Sequence, residues 1–115
     1  MLLSQCVAVY SQHQTTIDAK LNAEAHTIDI QHEITYKNES ETSLSELYFT
    51  DWVSSYSSPT TPLVKKFLNE FNTNLYIAKK NKRGLTTIHQ ILKKKNEKLY
   101  YHHLEPQEDI LKVKL

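Results

Sequence analysis

The sequence contains little cysteine, glycine or proline, and these scarcities exclude several kinds of site. Its single cysteine, Cys6, allows neither an internal disulfide nor a cysteine-based zinc site. Its single glycine, Gly84, excludes glycine-rich phosphate-binding loops, because those loops need two or three glycines at fixed spacing. The sequence also lacks an apolar run of about 18 residues, so we expect no transmembrane segment.

The charge of the chain is nearly balanced, with 14 Lys and Arg against 13 Asp and Glu. Binding to a phosphate backbone needs a surplus of positive charge, so we expect no nucleic-acid partner. The basic and aromatic stretch at residues 93–101 is interpreted as the solvated tip of a hairpin.

Residues 1–14 have two interpretations. The stretch is mildly apolar up to Tyr10 and then becomes polar, which is typical of the end of a signal peptide cleaved after Ser11. The alternative is a first β-strand in which Val7 and Val9 pack inward. The signal-peptide interpretation predicts an exported protein, in the periplasm or at the cell surface, and the strand interpretation leaves a cytoplasmic location open.

Residues 15–115 are predicted to form a single domain that is mainly β, with an antiparallel sheet or sandwich. Apolar and polar residues alternate at 17–21 and again at 28–36, which is typical of strands with one solvated face. The turn-forming residues between them predict an antiparallel hairpin. Further strands are predicted at 44–50, 86–92, 98–103 and 110–115.

One long amphipathic helix is predicted at about residues 61–81. Thr61 can cap its N-terminus, and Pro62 suits its first position. Apolar residues then recur at spacings of three and four from Leu63 to Ala78, which forms one apolar stripe. We expect Gly84 to supply the left-handed residue that ends the helix.

The six histidines raise the question of a metal site. Successive side chains of a strand point to opposite faces, so His102 and His103 are not expected to share one ion. Tyr36 stands four residues after His32, where the helical zinc motif needs its second histidine. The serines of loop 51–59 lack the glycine-flanked turn of a nucleophilic serine. We therefore expect no catalytic residue, metal ligand or cofactor in this chain.

Trp52 and Tyr56 are the candidate site residues. A buried aromatic pair beside a strand–helix junction usually anchors packing. The alternative is that the two rings contact a ligand or a partner.

The order of these features resembles the N-terminal domain of the gluzincin metallopeptidases, the aminopeptidase N-like group, and in particular their exported members in Bacteroidetes-type bacteria. The resemblance lies in the strand–turn–strand segment that ends in ITYKN, in LSELYFTDW, which contains the third strand, and in KKNKRGLTTI, which is similar to part of a helical insertion of that subgroup. It covers about residues 15–115 and contains no catalytic motif.

The resemblance implies a longer, saddle-shaped and non-catalytic β domain that braces a zinc catalytic domain and shapes its peptide cleft. This chain would be the first part of that domain. The zinc ligands and catalytic residues would belong to the catalytic domain, which would be the partner. An unpaired strand edge would also favour a homodimer. The alternative function is a stand-alone β-rich binding or adaptor module without a peptidase role.

Overall fold

The computed structural model describes residues 13–115. The predicted signal-peptide end, with its cleavage after Ser11, therefore lies outside the described residues. The chain divides into two compact units, Met1–Ser43 and Leu44–Leu115. Strands account for 36% and helices for 19% of the described residues, which confirms a mainly β fold with antiparallel sheets. The single domain 15–115 and its sandwich or saddle shape stay predictions.

The first unit contains the predicted hairpin. Strand β1 (His13–Asn22) pairs in antiparallel register with strand β2 (Thr27–Tyr36). In the connecting turn, the Asn22 side-chain oxygen accepts a hydrogen bond of 3.0 Å from the N–H of Ala25. Asparagine favours such turns because its short side chain replaces a backbone acceptor. The prediction of both strands and of the turn is confirmed.

Residues 44–115 contain five strands, two α-helices and two 3₁₀ turns. In chain order these are β3 (Glu46–Thr50), the 3₁₀ turn Trp52–Tyr56, α1 (Pro62–Asn69), α2 (Asn74–Ile77), the 3₁₀ turn Lys80–Lys82, β4 (Leu92–Lys93), β5 (Glu97–Lys98), β6 (Tyr101–His103) and β7 (Ile110–Lys114). Strands β3, β7 and β6 form an antiparallel sheet with β7 in the middle, and β4 pairs with β5.

The prediction of one long helix at 61–81 is wrong, although its start is correct. The Thr61 hydroxyl caps α1 by accepting from the N–H of Val64, and Pro62 is the first helical residue. The chain then breaks into two short helices, α1 and α2. Gly84 does not end a helix in a left-handed conformation, because its φ is not positive.

Helix α1 ends in a turn that uses a phenylalanine where glycine is usual. Phe71 has a φ of 59°, the N–H of Asn72 donates to the Phe67 carbonyl at 2.9 Å, and the N–H of Phe71 donates to the Leu68 carbonyl at 3.0 Å. This pair of bonds is the Schellman ending of a helix. It interrupts the helix at a point where the apolar spacing of the sequence continues, so the spacing alone does not reveal it.

The predicted strand at 86–92 is present only at its end, as β4. The carbonyl of Ile88 accepts a 2.8 Å hydrogen bond from the Tyr101 hydroxyl, so a side chain rather than a neighbouring strand satisfies it. The predicted strand at 98–103 is divided between β5 and β6. The predicted hairpin turn between β4 and β5 is present, with positive φ at Lys95 and Asn96.

The core of the second unit is small and partly polar. Its fully buried side chains include Val64 and Val113, and Leu111 is nearly as buried. Ser55 and Thr61 are also buried, and the Thr61 hydroxyl donates to the Ser55 carbonyl at 2.6 Å. The serine-rich loop therefore contributes Ser54 and Ser55 to the buried interior.

Candidate functional site

A carboxylate with three side-chain hydrogen bonds lies at the end of the three-stranded sheet. Asp51 Oδ2 accepts from the Ser54 hydroxyl at 2.7 Å and lies 2.8 Å from His103 Nε2. Asp51 Oδ1 accepts from the Thr86 hydroxyl at 2.7 Å. We call these four residues the Asp51 cluster. The side chain of Asp51 is only 10% exposed, against 32% for His103.

The sheet and its loops position the Asp51 cluster. Asp51 directly follows β3, and its N–H donates to the Asp109 carbonyl at 2.7 Å, next to the start of β7. His103 ends β6, opposite Leu111 of β7. The Asp51 cluster thus joins the serine-rich loop to Thr86 and to the end of strand β6.

The electrostatics of the Asp51 cluster favour an ionised carboxylate. Partial burial acts to raise the pKa of Asp51, but the hydrogen bonds from Thr86, Ser54 and His103 outweigh it and hold the pKa below its usual value. A carboxylate that accepts several hydrogen bonds is a stable acceptor and a poor proton carrier near neutral pH.

The Asp51 cluster contains Ser, His and Asp, but not in the arrangement of a catalytic triad. In a triad the histidine lies between the serine and the aspartate and takes the serine proton. Here both Ser54 and His103 bind the same carboxylate oxygen, and Ser54 is 5% exposed. The geometry is that of a clamp, in which the carboxylate holds a loop to the sheet.

Sequence reasoning missed the Asp51 cluster. Asp51 lies 35 residues before Thr86 and 52 before His103, and no local pattern joins them. The sequence prediction that His102 and His103 point to different faces is consistent with the register, in which His103 alone reaches Asp51. In the part of the chain from residue 13 onward, no group of three or more His, Cys, Asp or Glu residues is placed to hold a metal ion.

The two predicted site residues contact each other. The rings of Trp52 and Tyr56 are 6.2 Å apart and meet edge to face, at 80°. Trp52 is 56% exposed, so the expectation of a buried pair is wrong for this ring. Arg83 supports the pair by donating to the Tyr56 carbonyl at 3.5 Å and to the Tyr76 carbonyl at 3.1 Å. The choice between a packing and a binding role stays a prediction.

The outer face of the three-stranded sheet is charged and aromatic, and its lysines have partners. Lys112 Nζ lies 2.6 Å from Glu46 Oε2 and 5.4 Å from the centre of the Tyr48 ring. The hydrogen bond that Lys112 donates to Glu46 lowers the pKa of Glu46 and raises the pKa of Lys112. Lys114 lies 5.5 Å from the Tyr100 ring.

Within its own unit, the β1–β2 hairpin presents an apolar face with exposed side chains. The period of two places on one side the following residues, which we call the hairpin face: His13, Thr15, Ile17, Ala19 and Leu21 of β1, and Ile28, Ile30, His32, Ile34 and Tyr36 of β2. Leu21 is 70% exposed and Ile30 is 61% exposed. The opposite side carries polar and charged residues, so the hairpin is strongly two-sided.

Comparisons of the chain with protein-family models, with curated proteins and with solved structures find no match. The resemblance to the gluzincin N-terminal domain therefore stays a prediction. Within residues 13–115, no helix has the length and apolar character needed to cross a membrane.

Proposed function

We propose that the chain is a non-catalytic part of the N-terminal β domain of an exported zinc aminopeptidase-like protein. In this role it braces the catalytic domain and helps to shape the peptide cleft, and the catalytic domain, where zinc would bind, is its partner. The observation that carries the proposal is the exposed apolar face of the hairpin. The serine, histidine and aspartate of the Asp51 cluster support a non-catalytic role, because their bonds form a clamp.

The energetics of the hairpin face favour its burial against further β structure. A two-stranded hairpin by itself is marginally stable in water, and it needs a third strand or a packed layer. Burying a side chain such as Ile17 or Leu21 stabilises a protein by about 1.5–3 kcal/mol. Several such side chains are at least half exposed here, so a covering layer of β structure would gain a large apolar contact.

The alternative function is a stand-alone β-rich binding or adaptor module without a peptidase role. The exposed Trp52 ring favours it, because aromatic rings that combine apolar surface with a polar group are common at contact surfaces. In this case the candidate contacts are Trp52 and Tyr56, and a second copy of the chain can pair with an open strand edge of the hairpin.

Sequencing the encoding locus downstream of Leu115 tests the proposed function. The proposal predicts that the frame continues into further strands and then into His-Glu-x-x-His followed by a later glutamate. A stop codon directly after Leu115 would overturn the peptidase role and favour the stand-alone module. Chelator-sensitive peptide hydrolysis by the 115-residue chain alone would overturn both non-catalytic proposals.

A further inference from the structure

Residues 14–22 of β1 form a long strand edge with which no other strand among residues 13–115 pairs on the outer side. Strand β1 has ten residues, contains no proline or glycine, and pairs only with β2 in the described chain. Such an edge is a template for pairing with another strand, since its backbone groups on that side have no ladder partner. We infer that β1 pairs with β1 of a second copy of this chain, in the one antiparallel register that places Asp18 opposite Lys20.

The alternation of the strand restricts the registers of such a pair. Directly opposite residues of an antiparallel pair lie on the same face of the sheet. Registers that would place Ile17 or Leu21 opposite a polar-side residue are therefore excluded, because they would mix the hairpin face with the charged face. The registers that remain are two-fold pairs in which odd-numbered residues face odd-numbered residues.

The charges of β1 select one of these registers. When Ala19 faces Ala19 of the second copy, Asp18 faces Lys20 twice and Ile17 faces Leu21 twice. The next register in one direction places Asp18 opposite Asp18, and the next in the other direction places Lys20 opposite Lys20. Opposite charges stabilise a cross-strand pair and like charges destabilise it, so the neighbouring registers are disfavoured.

The edge of β2 does not offer the same complementarity. Its polar side carries Asp29 and Glu33 and no cation, so no register of β2 with itself brings opposite charges together. A lysine on an edge strand ordinarily keeps other chains away. In β1 the neighbouring Asp18 changes this effect, because each Lys20 then meets a carboxylate of the second copy.

The resulting assembly is a four-stranded sheet in the order β2, β1, β1 and β2. The hairpin faces of the two copies become continuous, since Ile17 and Leu21 of each copy lie side by side across the two-fold axis. This inference specifies the residues of the homodimer that accompanies the stand-alone module. It uses the edge of β1 and leaves the hairpin face free to be covered.

Sedimentation of charge variants of the full chain tests the register. We expect the wild-type chain to dimerise, and D18K and K20D each to weaken dimerisation at least about tenfold, because two attractive pairs become repulsive. An equimolar mixture of D18K and K20D should restore the dimer as a heterodimer, because each introduced charge then meets its opposite. The matched control E33K, with the same change in charge on β2, should dimerise like the wild type.

A cross-link keeps the test independent of the stability of the charge variants. In a C6S background, A19C should form an intermolecular disulfide under mild oxidation, since directly opposite Cα atoms of a strand pair are about 4.5–5.5 Å apart. I17C should not, because it faces Leu21 of the second copy. A monomeric wild-type chain, or dimers that cross-link equally through both positions, would overturn the inference. Neither result would affect the downstream sequence of the locus, which tests the proposed function separately.

Discussion

Asp51 and His103 are separated by 52 positions in the sequence, yet the His103 Nε2 atom lies 2.8 Å from the Asp51 Oδ2 atom. The contact fixes the beginning of the serine-rich loop to the end of β6. Because the same carboxylate also accepts from Ser54 and Thr86, one side chain connects three segments of the second unit.

Replacing Asp51 with asparagine should destabilise the second unit. The amide keeps one acceptor oxygen but loses the negative charge and the second acceptor, so the hydrogen bonds to that side are lost or reversed, and we expect a loss of about 1–3 kcal/mol in the free energy of unfolding. Urea denaturation of D51N against the wild type measures it. D109N is the matched control, because Asp109 contributes its backbone carbonyl rather than its carboxylate. Equal stability of D51N and D109N would contradict the clamp.

The stability of the chain should fall in acid because of Asp51. The pKa of this carboxyl is lowered in the folded state, so the unfolded chain binds a proton at a higher pH than the folded chain does. The contribution is therefore fully present above the ordinary Asp value of about 4 and is lost as the pH falls through the lower folded pKa. As the pH falls from neutral to below the ordinary Asp pKa, the urea concentration at the unfolding midpoint should decrease more for the wild type than for D51N. Parallel declines would assign the acid sensitivity to other groups.

A methyl group added at Gly84 should make a close steric contact with the Val53 side chain. A Cβ atom built at Gly84 lies 3.1 Å from Val53 Cγ1, closer than an ordinary contact, while its φ imposes no strain on alanine. We expect G84A to be less favourable in the wild type than in a V53A background, by about 1 kcal/mol. A double-mutant cycle from denaturation curves measures this coupling. Zero coupling would mean that Val53 moves aside without cost.

Replacing Phe71 with glycine should stabilise the second unit. Phe71 is 95% exposed and holds a left-handed conformation that costs a residue with a side chain about 1–2 kcal/mol. F71G removes that cost, whereas F71A removes the ring and keeps the strained conformation. Thermal denaturation should therefore rank F71G above F71A in stability. If F71A were as stable as F71G, the strain at this position would be negligible.

The local features of the fold could be predicted from the sequence, and the reasons differ from element to element. The alternation of apolar and polar residues in β1 and β2 identified the hairpin, because a strand with one exposed face shows this alternation in its own sequence. Thr61 and Pro62 identified the start of α1 for the same reason. The break after Asn69 could not be seen, since an ordinary phenylalanine occupies the left-handed position and the apolar spacing continues beyond it.

The candidate sites were less predictable because they depend on tertiary contacts. Trp52 and Tyr56 were interpreted as a buried pair beside a strand–helix junction, but the Trp52 ring lies on the surface against Tyr56. The Asp51 cluster depends on residues from three distant segments, and the sequence contains no signal that would pair Asp51 with His103. The two-sided character of the hairpin, by contrast, followed from the alternation of apolar and polar residues in β1 and β2.

The proposed function requires the hairpin face to be covered when the protein works. Hydrogen–deuterium exchange at the amides of β1 and β2 measures this, with the 115-residue chain compared with the full product of its reading frame. We expect fast exchange around Ala19 and Ile30 in the isolated chain at low concentration, and strong protection in the full product. Equal exchange in the two proteins would contradict it, because the face would then remain exposed to water in both.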